Sequence, residues 1–439
     1  MFNKIFYTRT RVVLLVLFLF SFFDFAYFPA TLSMKNDRNL FFVLAFILMS
    51  GFGLYRQPMT VFSKRLNYLF ILLFAFAVVN SFSCYYFRHQ APWTTLYHWS
   101  PIFLLFLYYP LRRLKLSVLT WERILFTLFI LEMIVELVTI SFPNLRLFKM
   151  TSSDARFQSE MRIRVYGNAI LYIGSLFCFN KAIVNEYKIN LYWILYIFSL
   201  TFMILGGYRI VLLAHFVSVA IMFFWLQLLS LRTIFVLMVG SICLYAVSFI
   251  PVVQERIDEI IERGERDNFD NEDYVRLITL NYYYNSYFKS PEELFLGSGM
   301  VQRKVMTYGQ GQFNEQDYYN LSNYDSTYSF EVSQTSALYH IYPVDWGIIG
   351  LSWEAGIPAT LVLITIVVML LLVRPDKRFL YISAWGVFVL CFSLTNSRYF
   401  SHHNLIYTVI LLVIYDKVLI NSKYKLNNEN RNTYITIAY

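Results

Sequence analysis

Charged residues are scarce in this sequence. Only 15% of its 439 residues are Asp, Glu, Lys or Arg, against about 25% in ordinary soluble domains. A water-soluble fold of this length would be short of polar surface, so a large soluble enzyme or scaffold is excluded. Cysteine is scarcer still. Cys84, Cys178, Cys243 and Cys391 are scattered, and three of the four lie well inside apolar stretches. That spacing argues against a disulfide framework or a cysteine metal site, and the four read as buried structural thiols. The chain also lacks a Walker phosphate loop, an HExxH helix, a GxSxG elbow and any repeat of solenoid period. No small-residue cleavage site follows the first apolar run, so that run reads as a retained helix and not a signal peptide.

What the sequence has in abundance is apolar and aromatic side chains. Apolar residues make up 58%, mean hydropathy is +0.50, and 43 Phe with 35 Tyr bring the aromatics, Trp included, to 20%. Aromatics at this level suit lipid-facing helices and interfacial belts. A helix crossing the hydrocarbon core needs about 20 apolar residues. Such runs are read at 12–31, 39–55, 66–84, 96–111, 122–142, 166–183, 190–206, 210–230, 233–251, 345–373, 379–397 and 404–420. The expected fold class is therefore an all-α polytopic membrane protein with about twelve transmembrane helices. Spans one to nine would occupy residues 1–251, a long outer loop 252–344, spans ten to twelve 345–420, and a cytoplasmic tail 421–439.

A net charge of +9 could suggest nucleic acid, but the cations lie between apolar runs and read as topology signals. Lys4, Arg9 and Arg11 precede the first span; Arg56, Lys64 and Arg65 follow the second; Arg112, Arg113 and Lys115 follow the fourth. Lys181, Lys188, Arg232, Arg374, Lys377, Arg378, Lys417, Lys423 and Lys425 continue the series. All fall on the amino-terminal side of twelve spans, which predicts both termini in the cytoplasm. The tail Leu426–Tyr439 is polar and reads as disordered.

Three outward segments break the pattern. Residues 143–165 carry Arg146, Lys149, Arg156, Arg162 and Arg164, many cations for a short external loop. The tight connection Gly206-Gly207-Tyr208 ends in Arg209 at the membrane edge. The loop 252–344 holds 15 Asp/Glu against 7 Arg/Lys, and at that length it escapes the charge rule. Within it, residues 253–264 and 273–288 have apolar side chains at helical spacing, including Ile257, Ile260, Ile261, Leu277, Leu280 and Tyr284. The acidic run Asp267 to Asp273 lacks the alternating ligands and central Gly of a calcium loop and reads as a solvated turn capping the next helix. Residues 303–340 are rich in Tyr, Asn, Gln and Ser, a composition suited to a carbohydrate surface or simply to a polar loop.

Four of these features come in a fixed order. Arg164-Val-Tyr-Gly167-Asn-Ala opens one outward-to-inward span, and Gly207-Tyr-Arg209-Ile-Val-Leu-Leu opens the next. Arg276 lies early in the long loop and is followed by Gly297-Ser-Gly299. The chain then re-enters through Asp345-Trp-Gly-Ile-Ile-Gly-Leu-Ser-Trp-Glu354-Ala-Gly356-Ile. This order resembles the O-antigen polymerase and O-antigen ligase group, the Wzy-like membrane glycosyltransferases. The likeness covers most of 160–370, and the order carries more of it than any single motif.

The resemblance implies a GT-C-like enzyme of the bacterial inner membrane with its site on the outer face. Its donor would be an oligosaccharide on undecaprenyl diphosphate, and its other partners membrane lipid and a chain-length regulator. The polymerases extend a lipid-linked glycan, whereas the ligases transfer to lipid A-core. Ligases place His where this chain has Asp345, which favours polymerase and leaves the base to be chosen between Asp345 and His340. A flippase or other transporter is the alternative from a different class; the single long loop, which breaks internal symmetry, counts against it.

The chemistry leads to the same residue types. A glycosyl diphosphate brings its own leaving group, so the site needs cations to receive the growing charge and a base near the acceptor hydroxyl. Arginine meets phosphate oxygens bidentately and stays charged. Arg209, Arg276, Arg162, Arg164 and, bordering them, Arg398 are the candidate donor-binding residues, with Arg209 and Arg276 acting in catalysis beside Asp345 or His340. Each has a plainer reading. Arg209 suits a lipid anchor, Arg162 and Arg164 can pair with Glu160, Arg276 with Glu272 or Asp273, and Asp345 can cap a helix. Glu132 and Glu136, one turn apart in span five, would point into the bundle and serve a proton path or hydrogen-bond its helices. The adjacent His402 and His403 lack the spacing of shared metal ligands, so no metal or cofactor is expected.

Overall fold

The computed structural model describes residues 11, 13, 17, 59–88, 92, 95–96, 99–114, 116–141, 168–184, 191–205, 209–226, 291–297, 304–309, 312–317, 337–341, 347–371, 377–394 and 405–437. Helix dominates. In chain order the helices are α1 (Val61–Arg88), α2 (Ser100–Phe103), α3 (Tyr108–Arg113), α4 (Val118–Ser141), α5 (Asn168–Val184), α6 (Leu191–Leu205), α7 (Arg209–Trp225) and α8 (Pro291–Leu296). They continue with α9 (Gly347–Ala355), α10 (Ile357–Val368), α11 (Leu380–Ser393) and α12 (Leu405–Ile437). A 3-10 turn, Leu104–Leu107, joins α2 to α3.

Among the described residues, one helix is long and apolar enough to cross a membrane, Val61–Tyr86 within α1. Its buried positions Phe62, Leu66, Phe70, Leu73, Ala77, Asn80 and Cys84 recur at helical spacing. The opposite face is apolar too: Tyr68, Ile71, Leu72, Phe74, Val79, Phe82 and Tyr86 are all exposed. A helix that is apolar all round has no face for water. Shorter apolar helices run over Ala169–Val184, Leu191–Ile204, Ile210–Trp225 and Ile357–Val368. The expected spans 12–31, 39–55 and 233–251 lie outside the described residues, apart from Val13 and Leu17, which are helical and buried.

Small residues allow close helix packing. A β-carbon at Gly174 in α5 would run into the Phe129 ring of α4. Helix α5 also packs on α6 and α11, α7 runs along α11, and α10 packs on α1.

Buried ion pairs tie together one end of this bundle. Asp416 in α12 accepts hydrogen bonds from Arg112 at the end of α3 and from Thr60 just before α1. Lys417 donates to the Leu114 carbonyl at 3.0 Å. Glu122 at the start of α4 pairs with Lys181 near the end of α5 at 2.9 Å and accepts from the Tyr381 hydroxyl at 3.1 Å. The Lys181 ammonium also lies over the Phe177, Phe379 and Tyr381 rings. Sequence reasoning takes Arg112, Lys181 and Lys417 only as topology signals; each is also a buried or half-buried partner in this layer.

Three expectations are changed. The re-entering span 345–373 is two helices, broken at Gly356. The tail after residue 420 continues α12 as helix to Ile437, with no Pro or Gly to stop it. Within 303–340 the backbone forms a small sheet, strands β1 (Lys304–Gly309), β2 (Gln312–Asp317) and β3 (Ala337–Ile341), in antiparallel order β2-β1-β3. Only two residues separate β1 from β2, the length of a hairpin connection. The described part of the long loop thus holds strands as well as the helix α8.

Candidate functional site

The other end of the bundle holds the most unusual local geometry. Helices α9 and α10 would be one span were it not for Gly356, which has φ 85° and ψ 153°. That backbone is closed to L side chains, and Pro358 starts the next helix without needing its missing N–H. The break bends the chain. Gly347 rests against the carbonyls of Ser393 and Leu394, while Gly386 rests against Leu370 and Leu371. Those two contacts lie about 11 Å apart along α11, whereas an unbroken helix from 347 to 370 would span about 34 Å.

The long loop returns to this break. Helix α8 ends at Gly297, with φ 77°, and the two glycines meet backbone to backbone. A β-carbon on Gly297 would lie 2.5 Å from the Gly356 nitrogen and 2.6 Å from the Glu354 carbonyl oxygen. One on Gly356 would lie 2.5 Å from the Phe295 carbonyl oxygen. Neither position has room for any residue but glycine.

A single buried amide joins the pieces. Asn80 of α1 donates from Nδ2 to the Leu296 carbonyl at 2.7 Å and to the Glu354 carbonyl at 3.2 Å. Its Oδ1 accepts from the Trp99 indole N–H at 3.0 Å. Asn80 is 1% and Trp99 0% exposed. Four stretches of chain are thereby held at one point, and Glu354 itself is buried beside it.

Other polar side chains are buried within the helices. Glu132 and Glu136 are fully buried, on the inward face expected from their one-turn spacing. His215 of α7 is also fully buried, its Nε2 lying 3.5 Å from the Ser175 hydroxyl of α5 and its ring stacked on Tyr196. Its Nδ1 has no hydrogen-bond partner among the described residues.

Of the sequence-predicted site residues, Arg209 is the first residue of α7 and His340 lies in β3, opposite Val305 of β1. Asp345, Arg276, Arg162, Arg164 and Arg398 lie outside the described residues. What the structure does bring together is the Gly297 end of one singled-out motif and the Glu354–Gly356 end of another, 57 residues later at Glu354. Asn80 and Trp99 escape sequence reasoning, although an amide deep inside an apolar run is the signal that would find Asn80.

No protein-family model, curated protein or solved structure matches this chain.

Proposed function

We propose that this chain is a polytopic inner-membrane glycosyltransferase of about twelve spans that polymerises a polysaccharide repeat unit. It transfers a glycan from undecaprenyl diphosphate to a lipid-linked acceptor glycan at the outer face. The observation that carries the reading is the backbone contact of Gly297 with Gly356. It makes one structural unit of two motifs on which the likeness to the O-antigen polymerase and ligase group rests. The pairing of Thr60 and Arg112, near helix ends, with Asp416 inside α12, and of Glu122 with Lys181 and Tyr381, fits an alternating up-and-down path with these cations on one side.

In this reading Arg164, Arg209 and Arg276 hold the diphosphate, with Arg162 and Arg398 at the border. The acceptor oxygen attacks the anomeric carbon, the bond from that carbon to the diphosphate oxygen breaks, and the electron pair leaves with the diphosphate. The hydroxyl proton passes to Asp345, or to His340 if the loop brings that imidazole closer. The arginines offset the charge that grows on the leaving oxygen.

The break at Gly356 also supports a second reading, a lipid-linked glycan flippase, because discontinuous helices are frequent in transporters. The surface glycan of a deletion strain separates them. A single capped repeat supports the polymerase, and loss of all glycan points to the flippase or to a ligase.

A further inference from the structure

We infer that Asn80 is the positioning residue that locks the outer loop onto the broken helix, so that the loop and the re-entering segment move as one body. This rests on the polymerase reading for its consequence in catalysis, but not for its geometry. Asn80 lies on α1, in neither of the segments it joins. Its two N–H groups are divided between Leu296, last residue of α8, and Glu354, two residues before the break. Its oxygen is occupied by Trp99, which fixes the amide orientation so that both donors face the two carbonyls.

The carbonyls concerned are poorly served otherwise. Both lie at helix ends, where the last turn has no intrahelical donors, and a buried carbonyl left without a donor is costly. The two glycines bring the segments too close for any side chain to intervene. An amide reaching in from a third helix therefore supplies both donors at once. No hydroxyl can do this, since it has one proton, and a carboxylate would set negative charge against two carbonyl oxygens.

The joint matters because of what flanks it in sequence. Asp345, the proposed base, precedes α9 by two residues. A connection fixed at Glu354 limits how far α9 can shift against α1 and α8. Misplacement of reacting groups by about 1 Å is enough to cost on the order of 10²-fold in rate.

Hydrogen exchange of the full-length protein in lipid nanodiscs tests the joint without any substrate. Asn80→Asp removes both donors and keeps the acceptor for Trp99, whereas Trp99→Phe removes only that indole donor. Exchange in 291–297 and 353–357 should rise together in Asn80→Asp, by roughly fivefold or more, and less in Trp99→Phe. Unchanged exchange, or a rise in one segment alone, overturns the joint. The second arm is chain growth from a lipid-linked oligosaccharide. Asn80→Asp should lower turnover by about 10²-fold with donor KM unchanged. Coupled exchange together with normal turnover overturns the positioning role. A wild-type protein that grows no chain defeats the polymerase reading, while the exchange arm still decides the joint.

Discussion

At the scale of single residues, the buried charges carry the sharpest expectations. Asp416 is 0% and Arg112 7% exposed, and Asp416, bonded to both Arg112 and Thr60, joins three segments far apart in sequence. Removing one member of a buried pair costs about 3–5 kcal/mol, whereas apolar replacement of both can be neutral. Asp416→Ala should therefore lower the unfolding temperature in detergent markedly, and a double Arg112→Met, Asp416→Leu protein should recover most of the loss. Equal loss in single and double variants would mean that the layer depends on charge and not on packing. Gly356→Ala forces an L side chain into φ 85° and against the Phe295 carbonyl. Strain of that kind costs about 1–3 kcal/mol. Thermal unfolding should register it, and wild-type stability in this variant would mean that the break relaxes freely.

At the scale of elements, the close approach of α4 and α5 is testable in the same way. Gly174→Ala would drive a methyl into the Phe129 ring, an overpacking worth about 1–3 kcal/mol. A second change, Phe129→Leu, should restore part of the stability measured by thermal unfolding; additive loss would place the clash elsewhere. The helices themselves were legible in the sequence because long apolar runs have few other outcomes. The runs read at 166–183, 190–206 and 379–397 correspond closely to α5, α6 and α11. The break at Gly356 was less legible, since a glycine before Ile-Pro inside an apolar run also suits an unbroken span with a kink. The strands of the long loop carry a weak pattern of alternation, and the continued helix of α12 contradicts a composition that reads as solvated chain. Asn80 is not legible for a physical reason: the two carbonyls to which it donates are backbone groups, which leave no mark in a side-chain pattern.

At the scale of the whole molecule, the account requires alternating spans with a fixed orientation. Cysteine labelling at Asn36, Ser230, Tyr308 and Ser422 should report Asn36 and Tyr308 outside and the other two inside. A cytoplasmic Tyr308 would defeat the topology. Arg209→Ala and Arg276→Ala, if those side chains hold the diphosphate, should each lose about 2.7–4 kcal/mol of transition-state stabilisation, roughly 10²–10³ in rate. Lys should rescue poorly where bidentate geometry matters. Normal polymer from both alanine variants at normal protein level would remove the proposed site.

Lengthening of a lipid-linked glycan can be tested with purified protein in vesicles, supplied with oligosaccharide on undecaprenyl diphosphate and analysed by gel for product length. A polymerase should give a ladder of repeats that forms in EDTA as well as in Mg²⁺ and disappears with Arg276→Ala. Donor that crosses the bilayer without lengthening, or growth that needs a lipid A-core acceptor, would contradict the polymerase reading.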